Sequence, residues 1–442
     1  MIMRPPTLTG PTMDTRRPEQ LAALVAEAEA LTRNGRSQEA HGLWERILAI
    51  DPEHASALNQ LGAQALARGD LDSAESYLQR VLAVAPRTAT THASLSRLHA
   101  IRGDRDRALE AIDAAIQIDP TAWVPHVEKA RLLEEAGQLR VAGLHWGNAL
   151  NYMPESVQRQ QHLQQLVMHA QAAVRRNQDD LAGHLEDNLS PLLHGHGTRE
   201  VERIRHSLDI LAGRRSFPAA RPLTLPIPRL PAIPIFHRED FDWAPDVEAA
   251  FPDILRELHA LLDHDADFEP YVQTPDGQPK GQFAPLDRNV DWGAYFLWKH
   301  GRRIDDQADR CPLTEAAMAR APQMKVPGRA PVVFFSALKP GVHIPPHNGA
   351  TNARLTVHLP LIIPPDCALR VGDETHVWEP GKLVMFDDTI RHEAWNRSDR
   401  LRVVLIFDVW HPMLTPLERD LVTAMTGGLM SFYGSDADLG EL

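Results

Sequence analysis

Four prolines, Pro52, Pro86, Pro120 and Pro154, stand 34 residues apart. Ala40, Ala74, Ala108 and Ala142 keep the same step, and so do Gly35, Gly69, Gly103 and Gly137. Three position classes in one register mark a tandem array, because every unit must repeat its own turn, contact and stop residues. Residues 55–88 illustrate one unit. Leu58, Leu61, Gly62 and Ala65 recur at helical spacing, a turn follows at Gly69-Asp70, and Ala74, Tyr77, Leu78 and Val81 mark a second helix. The proline ends that second helix, since it has no N–H to donate and its ring clashes with the preceding turn. The eighth position of each unit is Ala28, Gly62, Ser96 or Ala130, small throughout, as closely packed helices require.

This pattern resembles the tetratricopeptide repeat over residues 20–156. Such hairpins cannot bury their apolar faces alone, so the resemblance implies an all-α solenoid with a concave groove. That groove is expected either to bind a peptide or partner protein or to set spacing as a scaffold. Residues 157–215 stay helical in pattern but lose the register, as a cap over the end of the array would. SFPAARPLTLPIPRLPAIPIF, residues 216–236, is proline-rich and therefore extended, a linker or a strap; the apolar residues between its prolines favour the strap. The expected organisation is a disordered stretch over 1–17, repeats over 18–156, the helical cap, the proline-rich segment, and a second domain over 237–442.

Bulk properties narrow the classes of function. A formal charge of -13 with only scattered arginine pairs offers no concentrated basic face for nucleic acid. Cys311 and Cys367 cannot build a disulfide framework or a zinc site, which points to a reducing compartment. The N-terminal residues lack an apolar signal region, and no stretch reaches 18 apolar residues. The expectation is a cytoplasmic protein that binds neither membrane nor nucleic acid.

The chemistry concentrates after residue 331. One amphipathic helix is expected around DVEAAFPDILRELHALLDH, then the aromatic stretch DWGAYFLWKHGRR. Short β runs follow: VVFFSAL, RLTVHLPLII, CALRVG, THVWE, LVMFDD and RVVLIFDVW. Six or seven short strands separated by Pro, Gly and Asp suggest a jelly roll, a double-stranded β-helix with flanking helices. Within it stand His347, His358 and His392, with Ser336 and Arg402 on the first and last runs. His392-Glu393 is no metalloprotease motif, because position 396 is asparagine, and no Gly-x-Ser-x-Gly elbow exists for a serine hydrolase. A jelly roll can instead present two imidazoles from distant strands, a donor set that suits ferrous iron with open positions. An arginine fork and a serine hydroxyl would bind a carboxylate at depth. Those are the needs of a 2-oxoglutarate-dependent oxygenase.

Residues 331–416 resemble the aspartyl/asparaginyl β-hydroxylase family, with a weaker likeness back to about residue 240. The motifs that carry it are Ser336-x-x-x-Pro340-Gly341-x-His343, Pro346-His347, Thr351-Asn352-x-Arg354-Leu355, His358-Leu359, Phe386-Asp387-Asp388, His392-Glu393 and Asp408-Val409-Trp410-His411-Pro412. The resemblance implies that His347 and His392 bind Fe(II), completed by water, since Gly349 stands where most such enzymes carry a carboxylate. It implies that Arg402 and Ser336 hold the far carboxylate of 2-oxoglutarate, that His358 contacts this cosubstrate, and that Trp292 lines its pocket. Arg354 becomes a candidate contact for an acidic substrate group, while Thr356 occupies a position where family members can have a second arginine. The implied reaction uses O2 to hydroxylate the β-carbon of an Asp or Asn in a peptide or protein, which the repeat groove would help to hold. The alternatives are a repeat scaffold with an inactive jelly roll and a hydroxylase of lipid A acyl chains. Asp387-Asp388 reads as a strand-end turn, Trp378, Trp395 and Trp410 as core aromatics, and His343 and His411 as structural residues.

Overall fold

The computed structural model describes residues 16–264, 266–277 and 279–433. Most of the segment expected to be disordered, residues 1–15, lies outside them. The chain divides into two compact units at Gly213/Arg214.

The first unit is wholly helical. Four hairpins pair α1 (Arg16–Arg33) with α2 (Ser37–Ile50), α3 (Ala55–Ala67) with α4 (Leu71–Val84), α5 (Ala89–Ile101) with α6 (Arg105–Ile118), and α7 (Trp123–Glu135) with α8 (Leu139–Tyr152). Gly35, Gly69, Gly103 and Gly137 each take a left-handed φ of +72 to +80° at the turn within a hairpin. A side chain there is strained, which is why the glycine recurs at each turn. Asp70 and Asp104 then cap the following helices, accepting from the N–H of Ser73 and Arg107. At Gly62 an added Cβ would lie 3.0 Å from Leu78, so the small eighth position sets how closely the helices approach. A short helix α9 (Glu155–Gln158) leads to α10 (Gln164–Leu193) and α11 (Thr198–Leu211). Ala170 and Ala173 of α10 pack on Trp146 and Ala149 of α8, covering the apolar end of the last hairpin.

The second unit holds two antiparallel sheets. The larger has the order β1-β10-β7-β12-β5-β3-β2, with β4 on β3. Its strands are β1 (Ile235–Phe236), β2 (Glu269–Pro270), β3 (Trp292–Lys299), β4 (Arg302–Arg303), β5 (Val333–Leu338), β7 (Arg354–Ile362), β10 (Val384–Phe386) and β12 (Arg402–Trp410). The smaller is β6-β11-β8-β9, made of β6 (His343–His347), β8 (Cys367–Val371), β9 (Glu374–His376) and β11 (His392–Asn396). All six expected β runs contain a strand, although of THVWE only Thr375 and His376 belong to one. The aromatic stretch is also a strand, β3, and the two strands that carry His347 and His392 were not among the runs.

Period-two alternation gives each face of the larger sheet its own task. Val403, Leu405 and Phe407 of β12 join Phe335, Leu355 and Val357 in a core with Val247, Ile254 and Leu258. Those last residues lie on α12 (Ala244–Glu248) and α13 (Phe251–Asp263). Sequence reading expects one helix here. The segment breaks in two because Pro252, near the start of α13, cannot continue the preceding turn. Ala308 of α14 (Asp305–Ala308) and Met318 of α15 (Pro312–Met318) complete that core. The opposite face turns Arg402, Val404, Ile406 and Asp408 inward. There Trp292, Leu338, Val384 and Phe386 pack with Ile344, Leu369 and Val371 of the smaller sheet. The last helix, α16 (Pro416–Tyr433), buries Val422 near Trp410 and Leu225.

The proline-rich segment is a strap. Leu223 and Thr224 donate their N–H groups to the carbonyls of Gly349 and Ala350, at 3.1 and 2.9 Å. Thr351 donates its hydroxyl to the Leu225 carbonyl, and Asn352 bonds the backbone of Ile227 in both directions. The strap ends as β1, an edge strand of the larger sheet.

Candidate active site

His347 closes β6 and His392 opens β11, and antiparallel pairing sets their Cα atoms directly opposite. The ring centroids are 3.9 Å apart. Each ring is oriented by its own chain: His347 Nδ1 lies 2.7 Å from the Pro345 carbonyl, and His392 Nδ1 lies 3.1 Å from that of Ile390. A carbonyl only accepts, so Nδ1 carries the proton and Nε2 keeps its lone pair. Burial, then the neighbouring ring of His392, lowers the His347 pKa to about 3; burial lowers that of His392 to about 4. Both are therefore neutral at pH 7, the state in which imidazole binds a metal. Phe283 stands edge-on to His347 and Phe386 to His392, at 4.6 and 5.3 Å between centroids.

The far end of the site holds a cation. Arg402 is only 1% exposed, and burial draws its pKa down to about 10, so it stays charged at pH 7. Its Nη1 reaches the carbonyl and hydroxyl of Ser336 at 3.4 Å, and its Nε is buried without a protein partner. Trp378 lays its ring on the guanidinium at 4.9 Å. Trp292 Nε1 donates to Ser336 Oγ at 3.0 Å, and Tyr271 stacks on that indole. His358, on β7, is buried with Nδ1 unpartnered; burial and then Arg402 hold its pKa well below the usual range.

Arg354 lies between two buried carboxylates, 2.8 Å from Asp408 and 3.3 Å from Asp388. Thr356 Oγ1 donates to the same Asp388 oxygen. Asp387 does make the expected turn, accepting from the N–H and hydroxyl of Thr389. Its neighbour Asp388 instead turns inward and fills the space beside Gly349, where any Cβ would meet its carboxylate.

All seven residues singled out from the sequence, Trp292, Ser336, His347, Arg354, His358, His392 and Arg402, line one cavity of about 650 Å³. So do Asp388, Asp408, Phe283 and Tyr271, which sequence reasoning did not assign to the site. Gln282 holds the wall beside the histidines: its amide bonds both the carbonyl and the N–H of Asn348, next to His347. Trp378, read as a core aromatic, also has the arginine as a partner. Gln282 has no sequence signal, and Trp378, though one of the residues that carry the family resemblance, gave no sign of its partner, because each acts across more than 20 residues of chain. His343 pairs with Glu393 at 2.7 Å and does not line the cavity.

The donor set fits a divalent first-row metal with open positions: two neutral imidazole nitrogens side by side in one cavity. Among the described residues, no group of three or more His, Cys, Asp or Glu forms a ready cluster. The unpartnered Arg402 Nε and the Ser336 hydroxyl likewise fit a carboxylate at depth.

Residues 248–412 match the family model described as Aspartyl/Asparaginyl beta-hydroxylase, and residues 25–75 and 60–122 match the one described as Tetratricopeptide repeat. The ornithine lipid ester-linked acyl 2-hydroxylase of Rhizobium tropici is 33% identical over 200 residues, which are 45% of this chain and 67% of that protein. This chain belongs to the aspartyl/asparaginyl β-hydroxylase family. The human aspartyl/asparaginyl beta-hydroxylase is 39% identical over 151 residues, 33% of this chain and 20% of that protein. The match thus spans about a fifth of the human relative's length. A solved tetratricopeptide-repeat protein of Thermus thermophilus aligns with 43% of this chain and 99% of its own, at 18% identity and a TM-score of 0.30. Among the described residues no helix is long and apolar enough to cross a membrane.

The buried imidazoles predict a pH dependence. His347, His392 and His411 have folded pKa values of about 3 to 4, against 6.5 when exposed. Between those limits the unfolded chain binds more protons, so stability is full above pH 6.5 and falls as pH drops towards 4. Each histidine contributes a slope of up to about 1.4 kcal/mol per pH unit. Urea unfolding at pH 7, 6, 5 and 4, followed by tryptophan fluorescence in chelator, should show this loss; a flat profile contradicts the buried neutral state.

Proposed function

We propose that this protein is an Fe(II)- and 2-oxoglutarate-dependent dioxygenase that hydroxylates the β-carbon of an Asp or Asn side chain in a peptide or protein. The observation that carries the proposal is one cavity with two lone-pair imidazole nitrogens beside each other and a buried, anion-free Arg402–Ser336 pair at depth. Bound iron and 2-oxoglutarate, with O2, would supply the oxidising power, giving succinate, carbon dioxide and a hydroxyl in place of a C–H bond.

The residues supply binding and exclusion. His347 and His392 hold the iron through Nε2, each kept in that tautomer by a main-chain carbonyl. Arg402 grips the far carboxylate of the cosubstrate, Ser336 adds a hydroxyl, and Trp292 keeps that hydroxyl in place from behind. His358 lies on the neighbouring strand and contacts the cosubstrate from the side. Phe283, Tyr271 and Phe386 keep water from the reacting carbon. The repeats act as a protein-binding arm, the use that stacked helical hairpins commonly serve.

A second reading, hydroxylation of an acyl chain, is favoured by the name of the Rhizobium tropici relative. A repeat scaffold without activity is the third. Protein supplied with Fe(II), ascorbate and 2-oxoglutarate separates the readings through succinate, followed by proton NMR. Iron-dependent succinate is expected, raised by peptide rather than by lipid. Stimulation by an acyl lipid alone supports the second reading, and the absence of any succinate supports the third.

A further inference from the structure

The Arg354 cluster indicates which substrate group the site accepts, given the oxygenase reading above. Arg354 contributes one positive charge and is flanked by two buried carboxylates, Asp388 and Asp408, so the cluster is net negative by one. The lysines lining the cavity bring no surplus. Lys299 pairs with Glu269 at 2.5 Å and Lys280 with Asp287 at 3.2 Å. That leaves Arg402, which faces the cosubstrate end. With iron and 2-oxoglutarate in place, the metal's two charges match the two carboxylates, and Arg402 offsets the Arg354 cluster. The formal charges then sum to zero before any substrate enters. A substrate carboxylate would then add an unmatched negative charge beside Asp388 and Asp408, where like charges cost several kcal/mol.

A second observation points the same way. Asp388 is 6% exposed, lines the cavity, and has one oxygen, Oδ1, buried with no protein partner. That oxygen can only accept. A carboxamide brings the N–H to meet it, whereas a carboxylate would set oxygen against oxygen.

We propose that the site takes a carboxamide and rejects a carboxylate, so that the residue hydroxylated is asparagine. Asp388 receives the amide N–H, and Asp408 keeps Arg354 neutralised so that it does not recruit an acid. Asp388 and Asp408 are thus specificity residues.

The test uses two matched pools of pentapeptides with a central Asn or Asp, randomised on either side, acetylated and amidated so that termini carry no charge. The full-length protein is loaded in one arm with Fe(II) and 2-oxoglutarate, reading a gain of one oxygen by mass spectrometry. In the other it is loaded with Zn(II) and 2-oxoglutarate, reading retention of peptide without turnover. The expected result is at least about a tenfold preference for the Asn pool in both arms, from the cost of an unmatched buried charge. Equal use of the pools, a preference for Asp, or modification of an acyl lipid with neither pool retained overturns the proposal. Asp408→Asn, and independently Thr356→Arg, each add one positive charge to the cluster. Each should lower the Asn-to-Asp ratio at least about tenfold, which a purely structural role would not do. If the iron arm yields no succinate, the oxygenase reading fails, while the zinc arm still decides the preference for carboxamide.

Discussion

His347→Ala and His392→Ala should each lower iron-dependent succinate formation by at least about 100-fold, and each should release iron on gel filtration. Losing only an outer partner of a metal ligand commonly costs about 10- to 100-fold in affinity, and here a ligand itself is lost. The loss is severe because the set is small: the proposed protein donors are two nitrogens, and one imidazole cannot hold the ion alone. The fold should survive, since the two strands pair through backbone bonds on both sides of His392. Iron retained by the eluted protein, quantified by elemental analysis, is the measurement independent of turnover. His343→Ala is the control. That ring lies four residues from His347 but pairs with Glu393 outside the cavity, so iron retention should be unchanged. Unchanged iron retention and turnover in the two ligand variants would falsify the assignment.

Arg402→Met should move two quantities in opposite directions. The arginine is charged, fully buried and without a carboxylate partner, so without its anion it costs stability; removing it should raise the melting temperature of cosubstrate-free protein. Conversely, wild-type protein should be stabilised by 2-oxoglutarate, by about 2.7 kcal/mol at a hundred times its dissociation constant, and the variant should lose that response. A bond to a charged group contributes about 1.5–3 kcal/mol, so two bonds from the guanidinium fork imply a rise of at least about 100-fold in the 2-oxoglutarate needed for half-maximal turnover. Differential scanning fluorimetry with and without 2-oxoglutarate reads both effects. A variant that keeps the wild-type thermal shift would remove Arg402 from the carboxylate clamp.

The repeats were legible because a solenoid writes the same local demands at a fixed interval. Glycine at a left-handed turn and alanine at a helix crossing recur whatever the rest of the unit contains. Strands β5, β7, β10 and β12 of the larger sheet and β8 of the smaller were legible from their runs of Val, Ile, Leu and Phe, which buried strands keep on both faces. The strands bearing the histidine pair were not. HIPPH contains two prolines, and HEAWN sets its only apolar pair, Ala394 and Trp395, among polar residues, so neither shows the run of branched apolar residues that marks a buried strand. The motif therefore pointed to the histidines where periodicity could not. Asp388 was read with Asp387 as a strand-end turn for another reason. Its neighbour Asp387 satisfies the turn chemistry, and only the folded chain reveals that the second carboxylate faces the cavity. Arg354 was nominated as a contact for acid by the family resemblance; its two carboxylate partners lie 34 and 54 residues away and leave no local trace.

The strap has a bearing on any attempt to work with the two halves separately. Leu223 and Thr224 form part of the cavity wall, and their backbone N–H groups anchor the residues just after His347. A fragment begun at His237 would carry every proposed ligand and still lack one side of its own reaction chamber, with the hydroxyl of Thr351 and the amide of Asn352 stripped of their acceptors. The proline-rich strap is therefore part of the cavity wall, and a cut that keeps it whole falls at Gly213/Arg214, where the chain divides into its two compact units.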